Sequence, residues 1–103
     1  MSPRCSGSAS FEVGSDGRGH VAGSLGFETV SALLASGSDA IVTGRAAVID
    51  LGAVTVSDSS GLALLIEWLS VAKQAGQPLK YENIPRQLLQ LARLSEVDAL
   101  IAN

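Results

Sequence analysis

Two serines lie between an aspartate and a glycine near the middle of the chain, in the order Asp58-Ser59-Ser60-Gly61. A short run of apolar, partly β-branched residues, 46–51, leads towards this turn, and a helical pattern of apolar residues begins directly after it. The order of strand, polar turn and helix places the four residues at a helix N-terminus, where unpaired N–H groups and the helix dipole favour negative charge. We therefore expect any chemistry of this chain to be located at the turn.

The turn is compatible with two roles for its polar side chains. In the simpler role, Asp58 or Ser59 caps the helix, which is worth about 1 kcal/mol of stability. In the second role, a hydroxyl in the first helical turn holds a phosphoryl group where backbone N–H donors and the helix dipole stabilise it. Ser59 is therefore a possible phosphoacceptor, and capping does not exclude this role.

The same residues do not fit the common catalytic motifs. The nucleophile elbow of serine hydrolases requires G-x-S-x-G, and the first glycine is missing from residues 57–61. The only histidine, His20, belongs to a predicted N-terminal hairpin, and no phosphate-binding loop motif occurs. One cysteine and one histidine, far apart in sequence, do not form a metal site. We expect no catalysis, no metal, no cofactor and no small-molecule substrate.

The helix after the turn has a wider apolar arc than one contact with a sheet requires. One stripe, suited to packing on the sheet, consists of Leu62, Leu65, Ile66, Leu69 and Ala72. A second stripe beside it consists of Leu64, Trp68, Val71 and Ala75. Either both stripes belong to the core, with Trp68 filling a gap between helices, or the second stripe is partly exposed for a partner, since tryptophan is enriched at binding hot spots. In the second case one continuous surface joins this stripe to the turn.

The remaining patterns predict an α/β domain with a small mixed sheet. Residues 10–13 and 20–25 form a hairpin, and a helix starts at Phe27 and ends near Ser36 and Gly37. Residues 38–45 are ambiguous, with Ile41 and Val42 expected to turn inward. Residues 46–51 lack alternation, which is typical of a central strand covered on both faces.

The C-terminal third continues the alternation of strand and helix. Gly76 is expected to end the helix that follows the turn, and residues 78–83 read as a further strand. Pro85 suits the first position of another helix. The predicted core positions of that helix are Leu88, Leu89, Leu91, Ala92 and Leu94. Residues 97–101 form a last turn or a short edge element.

The composition limits the class of protein. The chain has 103 residues, 47% of them hydrophobic, and a net charge of -3 without a basic run, which argues against a nucleic-acid partner. No stretch reaches the roughly 18 uninterrupted apolar residues of a membrane span, and no apolar signal segment precedes the lone Cys5. We expect a cytoplasmic protein with a frayed tail at residues 1–9 and a single domain at 10–103.

The strand and the turn together resemble a known signature. Val48-Ile49-Asp50-Leu51, six further residues, and then Asp58-Ser59-Ser60-Gly61-Leu62 are similar to the signature of STAS domains, the family of bacterial anti-sigma-factor antagonists. The resemblance extends from about Phe11 onward. It implies a small mixed sheet with helices packed against it, no enzymatic activity, and function by docking onto a partner. In the antagonists a partner kinase phosphorylates the serine that follows the aspartate, which here is Ser59.

A narrower resemblance concerns residues 61–65, 72–76 and 88–94, which are similar to the small cytoplasmic STAS subunit of the Mla phospholipid-transport ABC system. That branch commonly has threonine in place of Ser59 and glycine in place of Ser60. The resemblance implies an accessory subunit that binds the transporter's ATPase and lies at the inner membrane through it. The alternative partner is an anti-sigma-factor kinase. The predicted interface consists of Asp58, Ser59, Ser60, Gly61, Leu64, Trp68 and Val71.

Overall fold

A computed structural model of the chain describes residues 9–101, within which four strands form one mixed sheet in the order β1-β2-β3-β4. The first two strands are antiparallel, while β3 is parallel to both β2 and β4. This confirms the predicted α/β architecture. In chain order the elements are β1 (Ala9–Val13), β2 (Arg18–Leu25), α1 (Phe27–Val42), β3 (Val48–Ser57), α2 (Ser59–Ala75), β4 (Lys80–Glu82), α3 (Arg86–Leu94) and α4 (Asp98–Ile101).

The predicted N-terminal hairpin is present, with both arms slightly longer than expected. Its register pairs Phe11 with Val21, and the turn contains Gly17 at a φ of 82°, a left-handed conformation that glycine adopts without a steric penalty. Because Ala9 already belongs to β1, the sheet begins at the last residue of the predicted tail. Residues 1–8, including Cys5, and residues 102–103 lie outside the described part of the chain.

The sheet has one covered face and one open face. Val21, Ile49, Leu51 and Tyr81 point towards the helices and are at most 4% exposed. The opposite face carries polar side chains, among them a cross-strand row in which His20, Asp50 and Glu82 are in register. The expectation that the central strand is covered on both faces is therefore wrong. The alternation along β3 was hidden because Val48, an apolar residue, shares the open face with Asp50.

Helix α1 continues well past its predicted end at Gly37. This glycine is buried inside the helix, and a Cβ atom at its position would overlap the indole ring of Trp68. Gly37 is therefore a contact point between α1 and α2 and does not end the helix. In the following turn Ile41 is buried as expected, but Val42 is 50% exposed.

Trp68 lies at the centre of the core that the helices form over the sheet. Its side chain is fully buried, its Nε1 donates a hydrogen bond to the backbone oxygen of Leu34 at 3.4 Å, and its ring centroid is 5.8 Å from that of Phe11. Nearby, the Tyr81 hydroxyl donates to the backbone oxygen of Leu65 at 2.6 Å. Burial raises the pKa of this hydroxyl, so Tyr81 stays neutral.

The C-terminal helices close one end of the core. Helix α3 follows Pro85, and its residues Leu88 and Ala92 are buried. Leu94 was predicted to be a core residue, but it is 83% exposed. The short α4 adds the buried Ile101. Among residues 9–101, no helix combines the length and the apolar composition required to cross a membrane.

Candidate functional site

The turn lies where the parallel strands β2 and β3 end side by side. Leu25 and Ser57, the last residues of these strands, are in register, and α1 and α2 begin directly beyond them. The backbone N–H of Asp58 donates to the backbone oxygen of Leu25 at 3.1 Å, which ties the start of α2 to the end of β2. The two helix N-termini are thereby held next to each other at one edge of the molecule.

Asp58 is the residue that caps α2. Its backbone is extended, and its Oδ1 accepts a hydrogen bond from the backbone N–H of Ser60 at 2.8 Å. Ser59 is the first residue of the helix and is exposed, while Ser60 is half-buried. The structure thus assigns the capping role to Asp58 and leaves the Ser59 hydroxyl accessible at the positive end of a 17-residue helix.

Gly61 serves packing and does not belong to an accessible interface. It is buried, and a Cβ atom at its position would lie 3.1 Å from Cβ of Leu25 and 3.3 Å from Cβ of Ser57. The first turn of α2 therefore approaches the strand ends more closely than a larger residue allows. Because it is buried, Gly61 presents no exposed surface for the predicted contact with a partner.

The apolar half of the predicted interface is also mostly buried in this structure. Leu64 is 1% exposed and Trp68 is fully buried, while Val71 is half-buried and packs against the same core. These three residues of the second apolar stripe pack inside the protein, where Gly37 of α1 makes room for the indole, whereas Ala75 at the end of the stripe is exposed. Of the predicted interface residues, the structure leaves Asp58, Ser59 and part of Ser60 together on the surface.

Helix α3 supplies an apolar surface at this location that the sequence interpretation missed. A shallow hollow of about 400 Å³ lies beside the start of α2, and the backbone N–H of Ser57 donates to Oε1 of Gln87 at 3.3 Å across its floor. Leu94, which is 83% exposed, lines this hollow together with Ser59. The lining residues are Ser57, Asp58, Ser59, Gln87, Gln90, Leu91 and Leu94. The sequence contained a signal for this surface, because the spacing of residues 87, 90, 91 and 94 places them on one face of a helix.

A second exposed apolar side chain stands at the start of α1. Phe27 is 85% exposed, and it follows Gly26, at which a Cβ atom would lie 3.5 Å from Oδ2 of Asp58. The name docking patch is used here for Asp58, Ser59, Leu91 and Leu94, which line the hollow, together with Phe27 at the start of the neighbouring helix. Two of its apolar residues, Phe27 and Leu94, are largely exposed, and exposed apolar side chains beside polar groups are suited to binding a protein surface.

The structure does not bring His20 to the turn. On the open face of the sheet, Nδ1 of His20 is 3.9 Å from Oδ2 of Asp50, whereas Ser59 lies beyond the end of β3. Hydrogen bonds from the N–H of Gly52 and the side chain of Asn83 hold the pKa of Asp50 below its usual range. Within the described ranges, no group of three acidic, histidine or cysteine residues could hold a metal ion. The geometry thus keeps the His20 imidazole away from the Ser59 hydroxyl.

Known structures share this fold. The unphosphorylated form of the anti-sigma factor antagonist SpoIIAA superposes with a TM-score of 0.68, at 17% identity over 91% of this chain and 85% of the other. The phosphorylated form of SpoIIAA, described as a Bacillus cell fate determinant, gives a TM-score of 0.66 at 17% identity, over 91% of this chain and 88% of the other. No match was found among curated proteins.

A match to a family model gives a narrower assignment of the sequence than the shared fold does. The model described as "Mlab, STAS domain" matches residues 12–102, which include the end of β1 and every element from β2 to α4. STAS domains are in general binding or regulatory modules that act through protein–protein contacts, in agreement with the exposed docking patch. Because the match covers nearly the whole sequence, this chain belongs to the MlaB-type STAS domain family.

Proposed function

We propose that the chain is a non-enzymatic accessory subunit that binds the ATPase of a Mla-type ABC phospholipid transporter, a system that maintains outer-membrane lipid asymmetry. The MlaB-type family match supports this proposal, because the resemblance to the small STAS subunit implies an ATPase partner. Through that partner the chain would lie at the cytoplasmic side of the inner membrane without entering the lipid.

The observation that carries the proposal is the exposure of Leu94 beside Ser59. Leu94 is 83% exposed and lines the same hollow as Asp58 and Ser59. A large apolar side chain in a polar surround is the arrangement found at the centre of protein interfaces, where the apolar residue supplies affinity and the polar groups supply register. The patch is therefore proposed as the ATPase-binding surface.

The Ser59 hydroxyl is proposed to be read directly by the partner. As a neutral group it can donate and accept a hydrogen bond across the interface at low cost of desolvation. A charge at this position must lose its water when the partner docks, and that loss opposes binding. A neutral side chain at position 59 is therefore proposed to permit docking, and a charged side chain is proposed to oppose it.

Co-purification with the ATPase tests this surface. We expect Leu94→Ala and Ser59→Glu each to weaken binding by at least about tenfold, as anchor residues do. Leu100→Ala is the matched control, because Leu100 is 57% exposed on α4 and does not line the hollow. Normal binding by folded Leu94→Ala and Ser59→Glu would show that the ATPase binds another surface. Failure of the unsubstituted chain to bind the ATPase would contradict the proposed function itself.

A second candidate function is that of an anti-sigma-factor antagonist, switched by phosphorylation of Ser59. It is favoured by the exposed hydroxyl directly after a capping aspartate and by the fold shared with SpoIIAA, for which phosphorylated and unphosphorylated forms exist. Incubation with a cognate kinase and ATP should then add the mass of one phosphoryl group. Ser59→Ala should abolish the addition and Ser60→Ala should retain it; an unmodified chain would contradict this function.

A further inference from the structure

The outer edge of β1 is an unpaired strand edge beside a groove. Within residues 9–101, β1 pairs with β2 alone, in a continuous register without a bulge. It contains no proline and no lysine, the residues that commonly protect an edge from pairing with another chain. Its five residues extend over roughly 17 Å, long enough to pair with a short peptide.

A groove runs along this edge between β1 and α1. Near the start of the strand a hollow of about 310 Å³ is lined by β1 and by Glu28, Ala32 and Ser36 of α1. A second hollow of about 340 Å³ shares Phe11 and Ser36 with the first and continues to Asp39 and Arg45. The small exposed side chains of α1 leave room above the buried Leu33, so the groove has an apolar floor along the strand.

The charges at the groove are unbalanced. Asp39 and Arg45 at its far end form an ion pair with a distance of 2.8 Å. Glu12 on β1 and Glu28 at the near end have no cation within ion-pair distance in the part of the chain that the structure describes, and both are exposed. The strand edge is therefore bordered by two uncompensated carboxylates, which a basic partner would neutralise.

From these features we infer that the β1 edge and its groove bind an extended basic peptide of another protein, which adds to the sheet as a fifth strand. Alternate side chains of an added strand point to opposite faces. Apolar residues of the peptide would lie in the groove over Phe11 and Leu33, and the intervening Lys or Arg residues would lie on the open face beside Glu12. This surface is separate from the docking patch and does not depend on the proposed function.

Fluorescence anisotropy with a labelled Lys-Val-Lys-Val-Lys peptide tests the inference. We expect saturable binding that weakens with salt, and none by a Glu-Val-Glu-Val-Glu peptide. Ala32→Trp should fill the groove and weaken binding by roughly tenfold, whereas Ala35→Trp, exposed on the same helix outside the groove, should leave it unchanged. Glu12→Lys should weaken binding and Glu67→Lys, exposed on α2, should not.

Backbone methylation tests the strand geometry itself. In a strand, alternate N–H groups point to the same edge, so only one of two peptides, N-methylated either at the valines or at the lysines, should lose binding. Amide exchange of β1 should slow when the unmodified peptide is bound. No binding up to about 1 mM, equal binding by both methylated peptides, or full binding to Ala32→Trp would overturn the inference. Sedimentation that shows a β1-dependent dimer would assign this edge to a second copy instead.

Discussion

At the scale of single residues, the turn divides its tasks among neighbours that look alike in sequence. Asp58 caps the helix, Ser59 presents a hydroxyl to solvent, and Gly61 allows the helix to approach the strands. Ser57, two residues before Ser59, is 2% exposed, and its hydroxyl has no hydrogen-bond partner among the described residues. Of the three serines at positions 57, 59 and 60, Ser59 is the one classed as exposed, while Ser60 is half-buried.

Replacement of Ser59 by glutamate is expected to leave the free energy of unfolding nearly unchanged. The side chain is exposed, and a negative charge at a helix N-terminus is favourable by about 0.3–1 kcal/mol. Asp58→Ala should instead cost about 1 kcal/mol because it removes the cap. Urea unfolding of both variants measures the difference. A large loss of stability in Ser59→Glu would mean that its effect on docking reflects misfolding.

Replacement of Ser57 by alanine is expected to stabilise the protein or leave it unchanged. A buried hydroxyl without a partner costs about 1–3 kcal/mol of desolvation, and the alanine variant avoids this cost while losing little packing. The same urea titration measures it, with Ser70→Ala, exposed on α2, as the control. A clear destabilisation would show that the Ser57 hydroxyl makes a bond that matters for folding.

At the scale of elements, the sequence predicted the hairpin, the strand before the turn and the three long helices, because local periodicity and end signals specify them. It failed where a contact between distant residues decides the outcome. Gly37 reads as a helix end unless Trp68 is known to lie against it, and the exposure of Leu94 depends on where α3 stops against α2. The turn pattern in the sequence was enough to predict the position of Ser59. Its apolar neighbours could not be predicted in this way, because they depend on the packing of α3.

Replacement of Gly37 by alanine is expected to destabilise the protein, although alanine favours helix formation. The added methyl group would overlap the indole of Trp68, and overpacking of a core costs about 1–3 kcal/mol, more than the roughly 1 kcal/mol that alanine gains over glycine in a helix. Thermal unfolding measures the loss, and Ala35→Gly on the exposed side of α1 gives the cost of a glycine without the contact. An increase in melting temperature for Gly37→Ala would show that the helices separate easily.

At the scale of the whole molecule, the charged groups on the open face of the sheet join strands that are distant in sequence. Arg18 of β2 donates hydrogen bonds to the carboxylate of Glu82 on β4, and this hydrogen bonding holds the pKa of Glu82 below its usual range. Asp50 on β3 lies between these strands, with a pKa lowered mainly by the N–H of Gly52. Arg18, Asp50 and Glu82 are here called the charge ladder. The helices cover the opposite face of the sheet, so protonation of the two carboxylates weakens contacts between the strands.

The lowered pKa values of Asp50 and Glu82 in the charge ladder predict how the free energy of unfolding depends on pH. Since both carboxyl groups have lower pKa values in the folded than in the unfolded chain, their contribution is fully present above the unfolded values, near about 4, and is lost as the pH falls through the folded values. Asp50→Asn combined with Glu82→Gln should lower the urea midpoint at pH 7 and reduce its further fall between pH 5 and 3. Gln74→Ala, exposed on α2 and without a titratable group, should keep the full fall. An unchanged pH dependence in the double variant would place acid sensitivity elsewhere in the chain.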